Sequence, residues 1–486
     1  MNARSDNLRR WLALLVLCLG ELMIVLDSTI VNVALPSIRA DLGFSEAGLV
    51  WVVNAYMLTY SGFLLLGGRL GDLYGQRRLF LWGLLIFTAA SLACGIAGTR
   101  TELVAARLVQ GLGGAIVSAV ALSLIMNLFT DASQRAKAMG VFGFVCAGGG
   151  SVGVLAGGVL TSMLSWHWIF LVNLPIGVAV IVLCRALLAH APAAAGRRHV
   201  DLGGALTITI ALMLAVYAIV DGNRSGWLST QSLALFAAAL ALALIFLRIE
   251  SRVPAPLVPL ALFRLRNIVV ANIAGILWAA AMFAWFFISA LYLQRVLGYD
   301  AMRVGLAYLP ANLIMAVFSL GISATLVTRF GIRAPLAAGL LMAAAGLLWF
   351  ARAPVQADFL FDILPPMVLM GLGAGIAFNP VLLAATSGLP SADSGLASGV
   401  VNTSFNMGGA LGLASLASAA SARTDSLLAG GSAPLLALDG GYQLAFRVGA
   451  GFALTAALIG VAGLRIAPVG TAPSPVLGEP PMTPSN

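Results

Sequence analysis

WLALLVLCLGELMIVLDSTIVNVALP, residues 11–36, holds two acids and no basic residue in an otherwise apolar run. As a helix rising about 1.5 Å per residue, it reaches past the roughly 30 Å of a bilayer's hydrocarbon. It does not alternate with period two, so a strand is excluded. It is too long for a signal-peptide core and lacks a small-residue cleavage site before the next apolar run. A retained first membrane helix is expected. The rest of the chain agrees: 60% of the 486 residues are hydrophobic, 9% are charged, and the mean hydropathy is +1.00. Soluble domains carry about 25% charged residues, so a soluble enzyme, a secreted module and a disordered scaffold are all excluded.

Further runs of spanning length follow at 48–70, 79–98, 102–128, 136–161, 168–189, 202–221 and 231–249. After a polar stretch they resume at 268–294, 304–328, 334–351, 360–386, 394–420 and 443–466, fourteen spans in all. An even number leaves both termini on one side. With the N-terminus inside, eighteen of the 27 basic residues fall in cytoplasmic segments and eight in outer ones, with Arg107 left within a span. That bias obeys the positive-inside rule and explains the net charge of +9 without a nucleic-acid partner. Cys18, Cys94, Cys146 and Cys184 lie inside apolar runs, and His167, His190 and His199 are scattered, so neither a metal site nor a disulfide framework is indicated.

The polar connectors 190–201 and 250–267 bracket the pair of spans in 202–249, with six spans before and six after. The expected division is a six-helix bundle over 1–189, a linker carrying two inserted spans over 190–267, a second six-helix bundle over 268–467, and a disordered tail over 468–486. An internal repeat supports it. GGRLGDLYGQRR, residues 67–78, follows the second span, and ATLVTRFGIRA, residues 324–334, follows the tenth. Gly75 and Arg77 align with Gly331 and Arg333 at one offset.

Only Glu21 and Asp27 among the acids lie well inside a span, about 15 Å and 24 Å along the first helix from Trp11. A carboxylate at such a depth costs roughly 3 kcal/mol on insertion scales, so it must face a cavity, find a partner or carry a proton. Burial favours the protonated acid, which suits a proton carrier. Six residues turn the two about 240° apart, so they do not share a face. Asp27 reads as a coupling carboxylate or as a structural hydrogen bond to a neighbouring helix; Glu21 reads as a cavity-facing site for a cation or proton. Arg107, as a lone intramembrane guanidinium, needs an acceptor, and a first-helix acid is the available counter-charge.

LDSTIVNVALPSI, residues 26–38, resembles the first-helix motif of the fourteen-spanner drug:proton antiporters, a branch of the major facilitator superfamily. GGRLGDLYGQRR resembles that superfamily's cytoplasmic loop signature through Gly68, Asp72, Gly75 and Arg77, with Arg78 just beyond; Leu73 and Gln76 replace its usual basic residues. LVAARLVQGLGGAIV, residues 103–117, resembles the fourth-helix motif, with Arg107 and Gln110 in place. In GVFGFVCAGGGSVGVLAGGVL, residues 140–160, Gly149, Gly153, Gly157 and Gly158 resemble the fifth-helix antiporter signature, with Val154 where a proline is usual. SWHWIFLVNLPIG, residues 165–177, resembles the opening of the sixth helix.

The resemblance implies an all-α polytopic fold of two six-helix bundles plus two inserted helices, in the inner (plasma) membrane. It implies alternating-access export of amphipathic, often cationic small molecules, driven by the proton motive force without a cofactor and carried out by a monomer. Asp27, Arg107 and Glu21 are the expected proton-coupling residues. Glu21, Asp27, Asn32, Tyr56, Gln110 and Asn402 are expected to line the substrate cavity, and Gly68, Asp72, Gly75, Arg77 and Arg78 to form a cytoplasmic gate that pairs with the opposite bundle and with helix termini. A dedicated exporter of one natural product fits the same motifs; an importer or uniporter fits the fifth-helix glycines less well. An intramembrane enzyme would need clustered His, Cys or acidic residues, and ATP drive would need a GKS or GKT loop; the sequence has neither.

Overall fold

The computed structural model describes residues 3–129, 132–188, 201–253, 256–258, 260–386 and 391–464. Helices make up almost all of it, and there is no strand among the described residues. The first group is α1 (Ala3–Leu42), α2 (Glu46–Tyr74), α3 (Gln76–Gly95), α4 (Arg100–Leu128), α5 (Ala132–Met163), the short α6 (Trp168–Leu171) and α7 (Asn173–Leu187). Then come α8 (Leu202–Ser225) and α9 (Thr230–Glu250). The last group is α10 (Arg266–Arg295), α11 (Ala301–Val317), α12 (Ser323–Phe330), α13 (Arg333–Phe350), α14 (Leu364–Thr386), α15 (Ser391–Ala429) and α16 (Pro434–Gly463). Ten helices among the described residues are long and apolar enough to cross a membrane, and shorter apolar helices lie at Gly48–Leu64, Val152–Met163 and Ala301–Val317. The predicted span 304–328 is divided: a π-helical turn, Phe318–Ile322, joins α11 to α12. The connector 190–200 and the tail 465–486 lie outside the described residues.

Short polar residues start the helices where the apolar runs begin. Ser45 caps α2 by accepting from Gly48 N at 2.9 Å, and Asp300 caps α11 by accepting from Arg303 N at 2.7 Å. At α4, Thr99 and Glu102 form a reciprocal capping box, with Glu102 N donating to Thr99 Oγ1 at 3.2 Å and Thr99 N to Glu102 Oε2 at 3.1 Å. Gly75 (φ 89°) and Gly331 (φ 73°) turn the chain between α2 and α3 and between α12 and α13. A side chain disfavours that backbone region, so the repeated glycine serves the same turn twice.

The packing repeats as well. α1 packs on α5 and α7, α4 on α2 and α3, and α3 on α7. In the second set α10 packs on α15 and α16, α14 on α11 and α13, and α13 on α16. The two sets meet through α5 with α11 and through α2 with α15. Among the described residues, hydrogen bonds cross this seam near the end opposite the N-terminus: Asn54 Nδ2 donates to Ala410 O at 2.9 Å, and Gln294 Nε2 to Val33 O at 2.8 Å. α8 packs against α2 and α15 together, with Ser418 Oγ donating to Ile219 O at 3.0 Å, while α9 packs on α8 and turns Leu240, Leu244 and Ile245 outward.

Candidate functional site

α1 and α4 run antiparallel in sequence position, and the contact between them carries the chemistry. Arg107, Gln110, Gly111, Gly114 and Ser118 follow at three- and four-residue spacing and so form one stripe along α4. Opposite its first turns stands Asp27, and opposite Ser118 stands Glu21.

Asp27 and Arg107 form an ion pair through Oδ2 and Nη1, both side chains being fully buried. Asp27 Oδ1 accepts from Gln110 Nε2 at 2.7 Å and from Asn173 Nδ2 at 3.1 Å. Arg107 also donates from Nη1 to Gln110 Oε1 at 2.7 Å and from Nε to Val52 O at 2.9 Å. Gln110 Nε2 reaches Ser91 Oγ at 2.9 Å, and Cys94 Sγ lies 3.5 Å from Gln110 Oε1. The guanidinium stacks over two rings, 4.3 Å from the Tyr56 centroid and 5.6 Å from that of Phe170. Five helices, α1, α2, α3, α4 and α7, thus supply one polar cluster wrapped in aromatic and aliphatic side chains. Charges buried so deeply are tolerable only when paired and hydrogen-bonded; the pair meets both conditions except at Arg107 Nη2, which is buried without a hydrogen-bond partner.

Gly111 makes this approach possible, because a Cβ there would collide with Thr59 Oγ1 and with the Tyr56 carbonyl. On the other side of α1 the fifth-helix glycines press against the turns that flank Asp27. A Cβ on Gly149 would lie 3.0 Å from Leu22 and Val25 side-chain atoms, one on Gly153 would lie 3.0 Å from Leu26 O, and one on Gly157 would lie 2.6 Å from Ile30 O. Gly158 faces the second set instead, where a Cβ would lie 2.6 Å from Ala301 O. Val154 is buried in the same interface, its carbonyl 3.2 Å from a Cβ on Gly305.

Several expected cavity residues are sealed in this conformation. Asp27, Tyr56 and Gln110 are buried within the first set rather than lining open space, because Arg107 draws all three around itself. Asn32 is also buried, and its Nδ2 donates within its own helix to Thr29 O at 3.3 Å. Asn402 is exposed and its carbonyl accepts from Asn406 Nδ2 at 2.9 Å. Glu21 is buried too, but apart from the Arg107 cluster: it accepts from Ser118 Oγ at 3.0 Å. Asn173, Ser91 and Ser118 were not singled out from the sequence. An asparagine just inside the sixth span, and serines at helical spacing from Cys94 and Gly114, are the only traces they leave there.

At the loop signature, Arg77 Nη2 donates to Arg185 O at 2.9 Å, at the C-terminal end of α7. Arg333 makes the equivalent bond to Leu464 O beyond α16, so each repeated arginine caps the last helix of its own set. Cationic groups at helix C-termini are favoured by the exposed carbonyls and the helix dipole. Gln76 Oε1 accepts from Asn127 Nδ2 at 2.8 Å, which ties the turn to α4. Gly68 lies in α2, Gly75 makes the turn, Arg78 is exposed, and the side chain of Asp72 lies outside the described residues. No group of three or more His, Cys, Asp or Glu able to hold a metal occurs among the described residues.

Residues 17–413 match the family described as Major Facilitator Superfamily. The chain belongs to that superfamily. It is 39% identical over 407 residues to the cephamycin export protein CmcT of Amycolatopsis lactamdurans, covering 83% of this chain and 84% of that protein. It is 37% identical over 462 residues to the puromycin resistance protein pur8 of Streptomyces alboniger, covering 93% and 90%. In fold it is similar to a bacterial homologue of the human lysosomal transporter Spinster in an inward-facing, unoccupied conformation, with a TM-score of 0.67 over 94% of this chain and 97% of that one at 15% identity. Members of this superfamily are transporters, and this chain is not an enzyme.

Proposed function

We propose that this protein is a proton-coupled exporter of amphipathic, often cationic drugs or toxic small molecules in the inner membrane. It has fourteen spans and cytoplasmic termini, with bundles over 1–189 and 268–467 and an inserted pair at 190–267. The buried Asp27–Arg107 pair carries the reading. With the N-terminus inside, the hydrogen bonds of Asn54 and Gln294 across the seam lie on the outer side, which favours an inward-open state able to take substrate from the cytoplasm or inner leaflet. Proton entry from outside in the opposite state neutralises Asp27 and leaves Arg107 without its counter-charge. Breaking a buried pair in this way is worth about 3–5 kcal/mol. That matches the scale of the drive, about 1.4 kcal/mol per pH unit and about 2.3 kcal/mol per 100 mV of potential. The set therefore reorganises rather than tolerating the charge, and α5, seated by its glycines on the turns around Asp27, carries the movement to α11.

Efflux of ethidium from energised cells tests this reading. Asp27→Asn is expected to abolish efflux while the protein still reaches the membrane; full proton-driven efflux by that variant removes Asp27 from the mechanism.

A second reading, export of a single natural product, is favoured by the names of the two relatives, a cephamycin export protein and a puromycin resistance protein. A resistance panel of unrelated antibiotics separates the two: protection against one structural class supports the dedicated exporter, and protection against several supports broad efflux.

A further inference from the structure

Asp201 closes the first polar connector and Glu250 opens the second, so the two acids stand at one end of the helix pair α8 and α9. Both are buried, Asp201 being 5% and Glu250 3% exposed. Asp201 Oδ1 caps α8 by accepting from Gly204 N at 2.7 Å. Glu250 Oε2 accepts from Val258 N at 3.1 Å, which folds the connector back against the end of α9. Each carboxyl thus gives one oxygen to a backbone N–H. The other oxygen of each, Asp201 Oδ2 and Glu250 Oε1, is buried with no hydrogen-bond partner. These two free oxygens converge on one spot: a Cβ on Gly204 would collide with Asp201 Oδ2 and lie 3.0 Å from Glu250 Oε1. The two side chains are within hydrogen-bonding reach of each other.

Two carboxylates cannot both stay ionised at such a place, and a pair of this kind holds one proton between them. With that proton, an O–H of one acid donates to the free oxygen of the other, a charge-assisted bond of the stronger class. Without it, two like charges face each other away from water. The surroundings offer no other remedy among the described residues. The charged group acting on Glu250 is Asp201 itself. Arg248 and Arg252 flank Glu250 in sequence and Arg264 precedes α10, and all three are exposed. α2 presents Phe63, Leu66 and Leu70 to this corner, and α15 presents Val400. The side chain of Arg69, and Arg197, Arg198 and His199, lie outside the described residues.

What the acids hold in place is the crossing between the two sets. Leu257 is buried with Leu66 of α2 and Ala205 of α8. Val258, whose N–H Glu250 accepts, packs on that cluster and also on a second one, in which Ile268 of α10 meets Val400 of α15. One residue therefore touches both sets at the end of the molecule where α2 turns through Gly75.

We infer that Asp201 and Glu250 form a proton-binding site, separate from the Asp27–Arg107 pair, whose shared proton latches the 250–258 connector across the two sets. The latch is closed while the proton is bound and opens as rising pH removes it, because the doubly ionised pair repels and Glu250 withdraws from Val258. On the orientation adopted above this corner faces the cytoplasm, so an acidic interior ties the two sets together at their inner ends and an alkaline one frees them. The site itself does not depend on that orientation.

Amide hydrogen exchange of the full-length protein in lipid nanodiscs tests this, read by mass spectrometry on fragments covering residues 250–258. Exchange is followed from pH 6 to pH 8.5 with the intrinsic rate at each pH divided out, and a chelator is present so that no metal ion bridges the acids. Loss of one linked proton weakens the closed state by up to about ten-fold per pH unit. Protection of the wild-type connector is therefore expected to fall by about ten-fold or more across the range. Glu250→Gln imitates the protonated acid, since its amide can donate to Asp201 while its carbonyl accepts from Val258 N; its protection is expected to stay at the low-pH level of the wild type throughout. Asp201→Asn is expected to behave in the same way, and Glu250→Ala to be unprotected at every pH. A purely structural bond gives a wild type with flat protection, which overturns the proposal. So does a fall in Glu250→Gln matching that of the wild type, or an equal fall in fragments from α4, which places the pH effect outside this corner.

Discussion

Replacing Asp27 by asparagine removes one half of a fully buried ion pair and leaves the other half charged. Breaking such a pair destabilises by about 3–5 kcal/mol. Arg107 cannot escape the penalty, because a guanidinium does not give up its proton in proteins, and its bond to Val52 O and its ring contacts hold it in place. Arg107→Met behaves differently. The stranded carboxyl can bind a proton, which for an ordinary carboxyl costs about 4 kcal/mol at pH 7 and about 1.4 kcal/mol less for each unit below that. The deficit of Arg107→Met is therefore expected to shrink as pH falls from 7 to 5, while that of Asp27→Asn stays constant. The double variant buries neither charge, and its deficit is expected to be smaller than the sum of the single ones by about 2 kcal/mol or more. Unfolding of the purified proteins in mixed detergent, followed by tryptophan fluorescence at pH 5, 6 and 7, measures all three. Additivity within about 0.5 kcal/mol, the range found for independent sites, or the same pH dependence in both single variants, refutes the coupling.

Gly157→Ala places a methyl group 2.6 Å from Ile30 O, a backbone atom that cannot step aside. Overpacking of this kind costs about 1–3 kcal/mol, so a lower unfolding midpoint is expected despite alanine's better helix propensity. Gly158→Ala makes the corresponding collision with Ala301 O across the seam; distance measurements between spin labels on the outer ends of α5 and α11 are expected to show a larger separated population than the wild type, and an unchanged distribution contradicts the seam assignment. Arg77→Ala and Arg333→Ala each remove a helix cap, expected to lower stability by about 0.3–2 kcal/mol, whereas exposed Arg78→Ala is expected to be neutral in the same unfolding assay.

Composition and apolar run length were enough to reveal an all-helical membrane protein, because a bilayer accepts little else. The repeated Gly-x-Arg was legible for a similar reason: a left-handed turn wants glycine, and a helix end wants a cation, so both halves spell the device alike. Asp27 and Arg107 stood out because charge is rare in apolar spans. Asn173, Ser91 and Ser118 did not, since uncharged polar residues occur throughout such helices and only the packing of α3, α4 and α7 around α1 brings Asn173 and Ser118 to the acids and Ser91 to Gln110. The sealing of Tyr56 and Gln110 was hidden too. Helical spacing places Gln110 near Arg107 on α4, but only the close approach of α2 at Gly111 brings the Tyr56 ring over the guanidinium.

Proton movement itself is the most direct test. Purified protein is reconstituted into liposomes containing a pH-sensitive dye, without an imposed gradient, and an outward-directed substrate gradient is applied. The account predicts a substrate-dependent proton flux opposite in direction to substrate, abolished in Asp27→Asn. Substrate flux at the wild-type rate with no accompanying proton movement contradicts it.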